Sequence, residues 1–139
     1  MNESTGSAPL LKKLGIVGDV VFTVVHPPPG FTAGLADTGA AIWQRNMIPP
    51  IDIVVAFFTD RADIRAEWST LAAAAEPVGT IWVAWPKPNS GVPTDIAEVP
   101  LKAQLAKFGW DENKACGIDD TWTAMRFAMR KDTRPPWKR

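Results

Sequence analysis

Three runs of apolar residues stand out along the chain, and each predicts a buried β-strand. They cover residues 19–25 (DVVFTVV), 51–58 (IDIVVAFF) and 80–85 (TIWVAW), and all three are rich in β-branched and aromatic side chains. Apolar side chains point to both faces of such a strand, which is typical of strands that are covered on both sides. We therefore expect the three runs to form the parallel centre of a sheet.

The segments around these runs carry helical spacing. A helix is predicted to open at residues 59–60 and to end before Pro77, because apolar residues repeat within it at helical intervals: Ile64, Trp68, Leu71 and Ala75. A second helix follows Thr94-Asp95 and must begin near Glu98, since Pro100 is tolerated only in a first turn. A short helix over residues 7–14, capped at Ser7, is predicted to close at Gly15.

The last third of the chain predicts an antiparallel hairpin. Residues 113–118 and 122–130 are strand candidates, and only Asp119-Asp120-Thr121 separates them. The second strand alternates between apolar and more polar positions, which predicts one buried face and one more solvent-exposed face. Two weaker segments remain, a short edge strand at 40–44 and a helical turn within 31–39.

Strands that alternate with helices imply a mostly parallel sheet with helices on both faces. A C-terminal antiparallel hairpin added to such a sheet is the layout of a small, three-layer, Rossmann-like α/β fold of the methyltransferase-like type. The chain reads as a single domain, 1–139, with an ordered core at about 9–131 and a polar tail at 132–139. Fold analogy alone gives no function.

Several short motifs occur in the order that is typical of one bacterial family. They are residues 52–55 (DIVV), 57–58 (FF), 82–87 (WVAWPK), 90–92 (SGV), 94–95 (TD) and 113–122 (NKACGIDDTW), together with the opening 12–16 (KKLGI). In these motifs the chain resembles DUF3052, a family of unknown function. The resemblance implies the same fold and draws attention to the loop around residue 90, but it implies no reaction. The chain departs from the pattern at Pro88-Asn89 and at Pro100.

Composition and charge exclude several classes of protein. Of the 139 residues 15 are basic and 15 acidic, so no overall field would attract nucleic acid or an anionic membrane. One cysteine and one histidine exclude an internal disulfide and a zinc site built of those ligands. No secretory signal and no apolar run of ~20 residues is present, so a cytoplasmic location is expected.

The segment after the first strand argues against a conventional cofactor site. Rossmann-like enzymes place glycines there so that backbone N–H groups approach a phosphate or carboxylate. This chain has His26-Pro27-Pro28-Pro29-Gly30 instead, and proline has no N–H to donate. We therefore expect no cofactor, with weak or no binding of NAD and S-adenosylmethionine.

Candidate ligand-binding residues follow the strands at the edge where their carboxyl ends should meet. After the third strand come Lys87, Ser90, Gly91, Thr94 and Asp95. A lysine, two hydroxyls and a glycine before a helix could hold a small anion; they could equally form an ordinary turn and cap. His26 could be a general base or a strand-end histidine bonded to backbone. By the sheet-edge rule, His26, Asp60 and the 87–95 loop should approach one another.

The hairpin adds weaker candidates. Asp119 lies in the turn, where aspartate is common for backbone reasons, and Trp122 could stack on a ligand ring or close over the core. Cys116 is expected to be buried and inert. The leading hypothesis is a small binding or regulatory domain without catalytic residues. The alternatives are a divergent methyltransferase-like enzyme acting on a small anion, and an interaction subunit or homodimer.

Overall fold

The computed structural model describes residues 10–32 and 39–130. Within them the strands are β1 (Val21–Val25), β2 (Ile42–Trp43), β3 (Ile53–Phe57), β4 (Thr80–Pro86), β5 (Trp110–Gly117) and β6 (Trp122–Met129). The helices are α1, described over residues 10–14, α2 (Arg61–Ala75) and α3 (Glu98–Ala106). The predicted cap at Ser7, most of the turn predicted within 31–39, and the tail lie outside the described residues. No helix in the described part of the chain has the length and apolar character to span a membrane.

All six of these strands form one sheet, in the order β2-β1-β3-β4-β6-β5. The first four in that order are parallel, and the hairpin β5–β6 joins antiparallel to β4. The predicted parallel core and terminal hairpin are therefore confirmed. Short right-handed connections also predict the first long strand beside the second and the third on the far side of the second, and the order β1-β3-β4 confirms this. The short segment at 40–44 supplies a fourth parallel strand, β2, beside β1.

Helices or loops cover both faces of the sheet, as the two-sided apolar runs predict. One face packs against α2 and α3 through side chains that are nearly fully buried: Ile64, Trp68, Leu71, Leu101 and Leu105. The other packs against Leu11, Leu14 and Ile16 from α1 and the turn after it. Gly15 ends α1 with a positive φ of 82°, a conformation that glycine adopts without strain.

The middle of the sheet confirms two predictions about side-chain direction. The odd spacing of Trp82 and Trp85 in the sequence predicts that they point to opposite faces of β4, and they belong to opposite core clusters. Along β6, Met125, Phe127 and Met129 are buried, while the residues between Met125 and Met129 that alternate with them are partly exposed.

Some predicted boundaries differ from the structure, and others agree with it. The first hairpin strand begins at Trp110, three residues before the predicted start at Asn113, because a register shift between Glu112 and Lys114 breaks the alternation there. Helix α2 opens where the sequence predicts, with the extended Asp60 (φ −125°) as its N-cap and Arg61 as its first residue. Helix α3 begins at Glu98, which puts Pro100 in its first turn as predicted.

The order of the strands creates a reversal at β1. From β1 the chain moves to β2 on one side, then crosses to β3 on the other side. The carboxyl ends of β1 and β3 therefore flank a crevice at the point where the winding direction changes. Open α/β sheets bind ligands in this position.

Candidate functional site

A crevice of about 340 Å³ opens at this reversal. We call it the switch crevice. It is lined by His26 after β1, by Phe57, Phe58 and Thr59 at the end of β3, by Asp63 and Glu67 from the start of α2, and by Trp122 at the start of β6. Side chains from four separate parts of the chain thus meet at the carboxyl edge of the sheet.

His26 is the most unusual residue of the switch crevice. It is the only described residue other than glycine with a positive φ, 55°, a conformation that histidine adopts more often than most residues. Its Nε2 atom lies 2.8 Å and 3.0 Å from the two carboxylate oxygens of Glu67. The side chains remain 53% and 37% exposed, so this pair faces solvent and any ligand that enters.

Aromatic rings form the apolar walls of the crevice. Phe58 meets the His26 ring edge-on at 5.7 Å between centroids, and Phe57 meets Trp122 in the same way at 5.2 Å. The predicted turn residue Asp119 positions Trp122, because its carboxylate accepts the backbone N–H groups of Thr121 and Trp122 at 2.8 Å each. Asp119 therefore acts on the backbone of the turn.

The side chains that line the switch crevice are predominantly acidic. Asp63 and Glu67 contribute carboxylates, and the lining contains no lysine or arginine. Within the described residues, 10–32 and 39–130, no group of three His, Cys, Asp or Glu side chains could hold a metal ion. The crevice therefore favours a cationic or donor-rich ligand over an anion.

The loop after β4 uses two of its candidate residues to hold the fold together. The Thr94 hydroxyl donates to the carbonyl of Thr59 at 2.6 Å, and the Asp95 carboxylate accepts the N–H of Arg61 at 2.8 Å. Asp95 therefore caps α2 across 34 residues of sequence, whereas Asp60 makes no side-chain cap bond. The loop approaches the end of β3, but these two side chains are occupied there.

The other loop candidates lie away from the switch crevice. Ser90 donates its N–H to the Lys87 carbonyl at 3.0 Å, and its hydroxyl accepts from Val92, so both groups stabilise a turn that Gly91 completes with φ 84°. The Lys87 side chain lies against β5, with Nζ 3.6 Å from the position of a Cβ on Gly117. Lys87 lines a separate, mostly apolar pocket of about 320 Å³.

Cys116 packs with the apolar residues beneath α1. Its burial raises the pKa of the thiol, and the nearby charges of Lys13 and Lys114 offset this only in part. Because the thiolate is the reactive form, we expect iodoacetamide at pH 7.5 to alkylate Cys116 several times more slowly in the folded protein than in urea. Mass spectrometry over time measures this. Equal rates in both states would show that the thiol is not protected.

The residues near β1 and β2 do not fit a conventional dinucleotide or S-adenosylmethionine site. Prolines 27–29 offer no N–H, and the N–H of Phe31 already donates to the Pro28 carbonyl at 3.1 Å, which leaves Gly30 as the one donor between them. Such sites also use an acidic residue near the end of the second strand to bind ribose hydroxyls. Here Gln44 and Arg45 follow β2, and the Arg45 guanidinium lies 3.7 Å above the Trp43 ring.

Sequence reasoning had singled out His26 and Trp122, and the fold brings both to the switch crevice. It missed the two carboxylates. Asp63 and Glu67 are four positions apart, so they share one helix face just after a strand end, and this spacing was the available signal. Their importance depends on the orientation of α2, which the spacing does not give.

No protein-family model matches this chain, and neither does any curated protein. The resemblance to DUF3052 therefore stays a prediction. Solved structures do match. A SAM-dependent methyltransferase from Aquifex aeolicus superposes with a TM-score of 0.57 at 11% identity, over 87% of this chain and 88% of that one.

A second similar structure is magnesium protoporphyrin IX methyltransferase from Synechocystis PCC 6803 with bound SAM. It has a TM-score of 0.56 at 13% identity, over 91% of this chain and 77% of that one. Identities this low establish shared architecture only. The chain has a methyltransferase-like Rossmann fold.

Proposed function

We propose that this chain is a small-molecule-binding domain on a methyltransferase-like fold, and that its ligand is a small organic cation with a planar part. One observation carries the proposal. A crevice of about 340 Å³ lies at the winding reversal of the sheet and combines two carboxylates with aromatic walls. Concave sites with apolar walls and a few convergent polar groups are the usual form of small-molecule sites.

The charges of the crevice support a cationic ligand. Glu67 already pairs with His26, whereas Asp63 forms no ion pair with the described residues. A ligand ammonium could therefore bind the Asp63 carboxylate without breaking an existing pair. The partly exposed Trp122 adds a ring surface, which attracts both cations and planar groups.

Tryptamine and indole-3-acetate provide a sharp test, since they share one ring and carry opposite charges. We expect tryptamine to shift the amide resonances of the switch crevice and to bind at least about tenfold more tightly than indole-3-acetate. Asp63→Asn should weaken tryptamine binding by about tenfold. Asp19→Asn is the matched control, because Asp19 precedes β1 at the opposite edge of the sheet.

Equal affinities for tryptamine and indole-3-acetate would contradict the proposal that the ligand is a cation. Shifts confined to residues outside the crevice, or equal losses in the two aspartate variants, would contradict the site. S-adenosylmethionine and NAD belong in the same titration. The proline segment predicts weak or absent binding of both, and micromolar affinity for S-adenosylmethionine would favour an enzyme.

A divergent enzyme is the second candidate, and the pair formed by His26 and Glu67 favours it. A carboxylate that holds one ring nitrogen of an imidazole fixes its orientation and prepares the other nitrogen for proton transfer. If the domain is catalytic, compounds that bind the crevice should be converted, and NMR would detect their products. His26→Asn removes the imidazole yet keeps a residue that accepts positive φ. Unchanged conversion by that variant would exclude His26 as the base.

A further inference from the structure

A second concave site lies between helices α2 and α3 and shares no lining residue with the switch crevice. We call it the helix groove; its volume is about 550 Å³. It is lined by Arg61, Arg65, Pro100, Ala103, Gln104, Lys107 and Phe108. A neighbouring pocket of about 270 Å³ shares Arg65 and Phe108 with it and adds Trp68 and Trp110. The two together form one continuous depression along the helices.

Three cations converge on the helix groove without a carboxylate in its lining. Arg61, Arg65 and Lys107 appear in none of the ion pairs of the described residues, although Lys102 on the same helix pairs with Glu98 and Glu112. Such a concentration of unpaired positive charge is unusual in a chain whose net charge is zero.

No carboxylate of the described residues forms an ion pair with these cations. Asp95 is engaged by the backbone N–H of Arg61, at 2.8 Å from one carboxylate oxygen. Glu76 lines the neighbouring pocket of about 270 Å³, but it forms no ion pair with Arg65. The groove therefore presents a positive field to any ligand.

Arg61 is held in position by a buried side chain. Gln104 is only 9% exposed, and its amide oxygen lies 3.4 Å from Nε of Arg61. Its amide nitrogen donates to the Arg61 carbonyl at 3.3 Å. The first bond orients the Arg61 guanidinium and the second fixes Gln104 against the backbone of α2, so less side-chain entropy is lost when that guanidinium binds an anion.

The adjoining pocket contains an unmatched donor. Trp68 is 3% exposed, and its indole Nε1 is the only buried side-chain nitrogen or oxygen of the described residues without a hydrogen-bond partner. Elsewhere in the chain the indole of Trp82 donates to a backbone carbonyl at 2.9 Å. A donor without a partner beside the clustered cations suits a ligand that carries acceptor oxygens.

An aromatic surface completes the site. Phe108 lines both parts of the depression and is 45% exposed, so its ring is open to a ligand. Exposed rings beside clustered cations are the combination that binds a planar base together with its phosphate.

We propose that the helix groove binds a nucleoside phosphate. Its phosphate oxygens accept hydrogen bonds from Arg61, Arg65 and Lys107, and its base stacks on Phe108. This site has the opposite charge to the switch crevice and shares no lining residue with it. The proposal therefore does not depend on the function proposed above.

Titration with AMP, ribose 5-phosphate, inorganic phosphate and adenosine tests the proposal, with amide and indole N–H resonances as the readout. We expect AMP to bind at least tenfold more tightly than adenosine, and several times more tightly than inorganic phosphate. The shifts should centre on α2, α3 and the Trp68 indole. Raising the salt concentration should weaken AMP binding, because exposed charges are screened.

Variants locate the site. Arg65→Ala and Lys107→Ala should each weaken AMP binding about tenfold, since each removes a charged hydrogen-bond donor. Lys102→Ala removes the same charge from the same helix outside the groove, and it should change affinity by less than twofold. Phe108→Ala should abolish the preference for AMP over ribose 5-phosphate.

Several outcomes would overturn the proposal. Equal losses in the Lys107→Ala and Lys102→Ala variants would mean that only the general field attracts AMP. If adenosine bound as tightly as AMP, the phosphate would contribute nothing to binding. If inorganic phosphate bound as tightly as AMP, the base would contribute nothing. Shifts centred on His26 and Trp122 would assign AMP to the switch crevice.

Discussion

Replacement of Gly79 by alanine is expected to destabilise the protein by about 3 kcal/mol or more. Gly79 lies between α2 and β4, where three backbone carbonyls surround it. A Cβ there would be 2.5 Å from the Ile51 oxygen, 2.6 Å from the Ala75 oxygen and 3.1 Å from the Asp52 oxygen. These atoms are backbone oxygens of the two residues before β3 and of the last residue of α2, so moving them would disturb the strand and the helix.

Urea unfolding followed by tryptophan fluorescence measures this loss as a shift in the midpoint. Gly117→Ala is the matched control, because a Cβ at that position meets only the flexible end of Lys87, at 3.6 Å. We expect the control to change the free energy of unfolding by less than about 0.5 kcal/mol. Equal destabilisation by the two substitutions would mean that the carbonyl cage around Gly79 relaxes.

The parallel core could be predicted because its signal is local. Residues of β3 and β4 are apolar on both faces, and that pattern has few explanations other than a strand covered on both sides. The strand order followed from the same pattern, since short right-handed connections leave few arrangements. The start of β5 could not be predicted, because the register shift near Glu112 depends on its pairing with Phe127 in β6.

The candidate site was only partly predictable, for a different physical reason. The edge rule identified His26 because it uses only strand order and chain direction, and Trp122 was a candidate from the position of the hairpin turn. The roles of Thr94 and Asp95 depend on contacts with residues that are 35 and 34 positions away. A polar side chain in a loop has the same sequence signature whether it binds a ligand or caps a distant helix, so these two interpretations could not be separated.

The two concave sites also show why net charge was a poor guide to ligands. The balance of 15 basic and 15 acidic residues argued against any directing field. The fold separates those charges, with carboxylates at the switch crevice and unpaired cations in the helix groove. Local fields of opposite sign therefore coexist on a neutral chain, and each selects its own class of ligand.

Substitution of Trp82 is expected to produce the largest loss of stability among the aromatic residues of β4. Trp82 is fully buried at the centre of the sheet, and its indole Nε1 donates to the carbonyl of Leu14 at 2.9 Å. Trp82→Ala removes a large side chain from a packed core, which costs about 3–5 kcal/mol. It also leaves the Leu14 carbonyl, at the end of α1, without this donor.

The hydrogen bond can be separated from the packing by a milder change. Trp82→Phe keeps most of the ring but loses the donor, and Trp85→Phe makes the same change on the opposite face, where no indole hydrogen bond is recorded among the described residues. Because a buried carbonyl left unsatisfied costs about 1–3 kcal/mol, we expect Trp82→Phe to be more destabilising than Trp85→Phe by about that amount. Urea unfolding of the two variants gives the difference directly. If Trp85→Phe were equally destabilising, the bond to Leu14 would contribute nothing, and α1 would be held to the sheet by apolar packing alone.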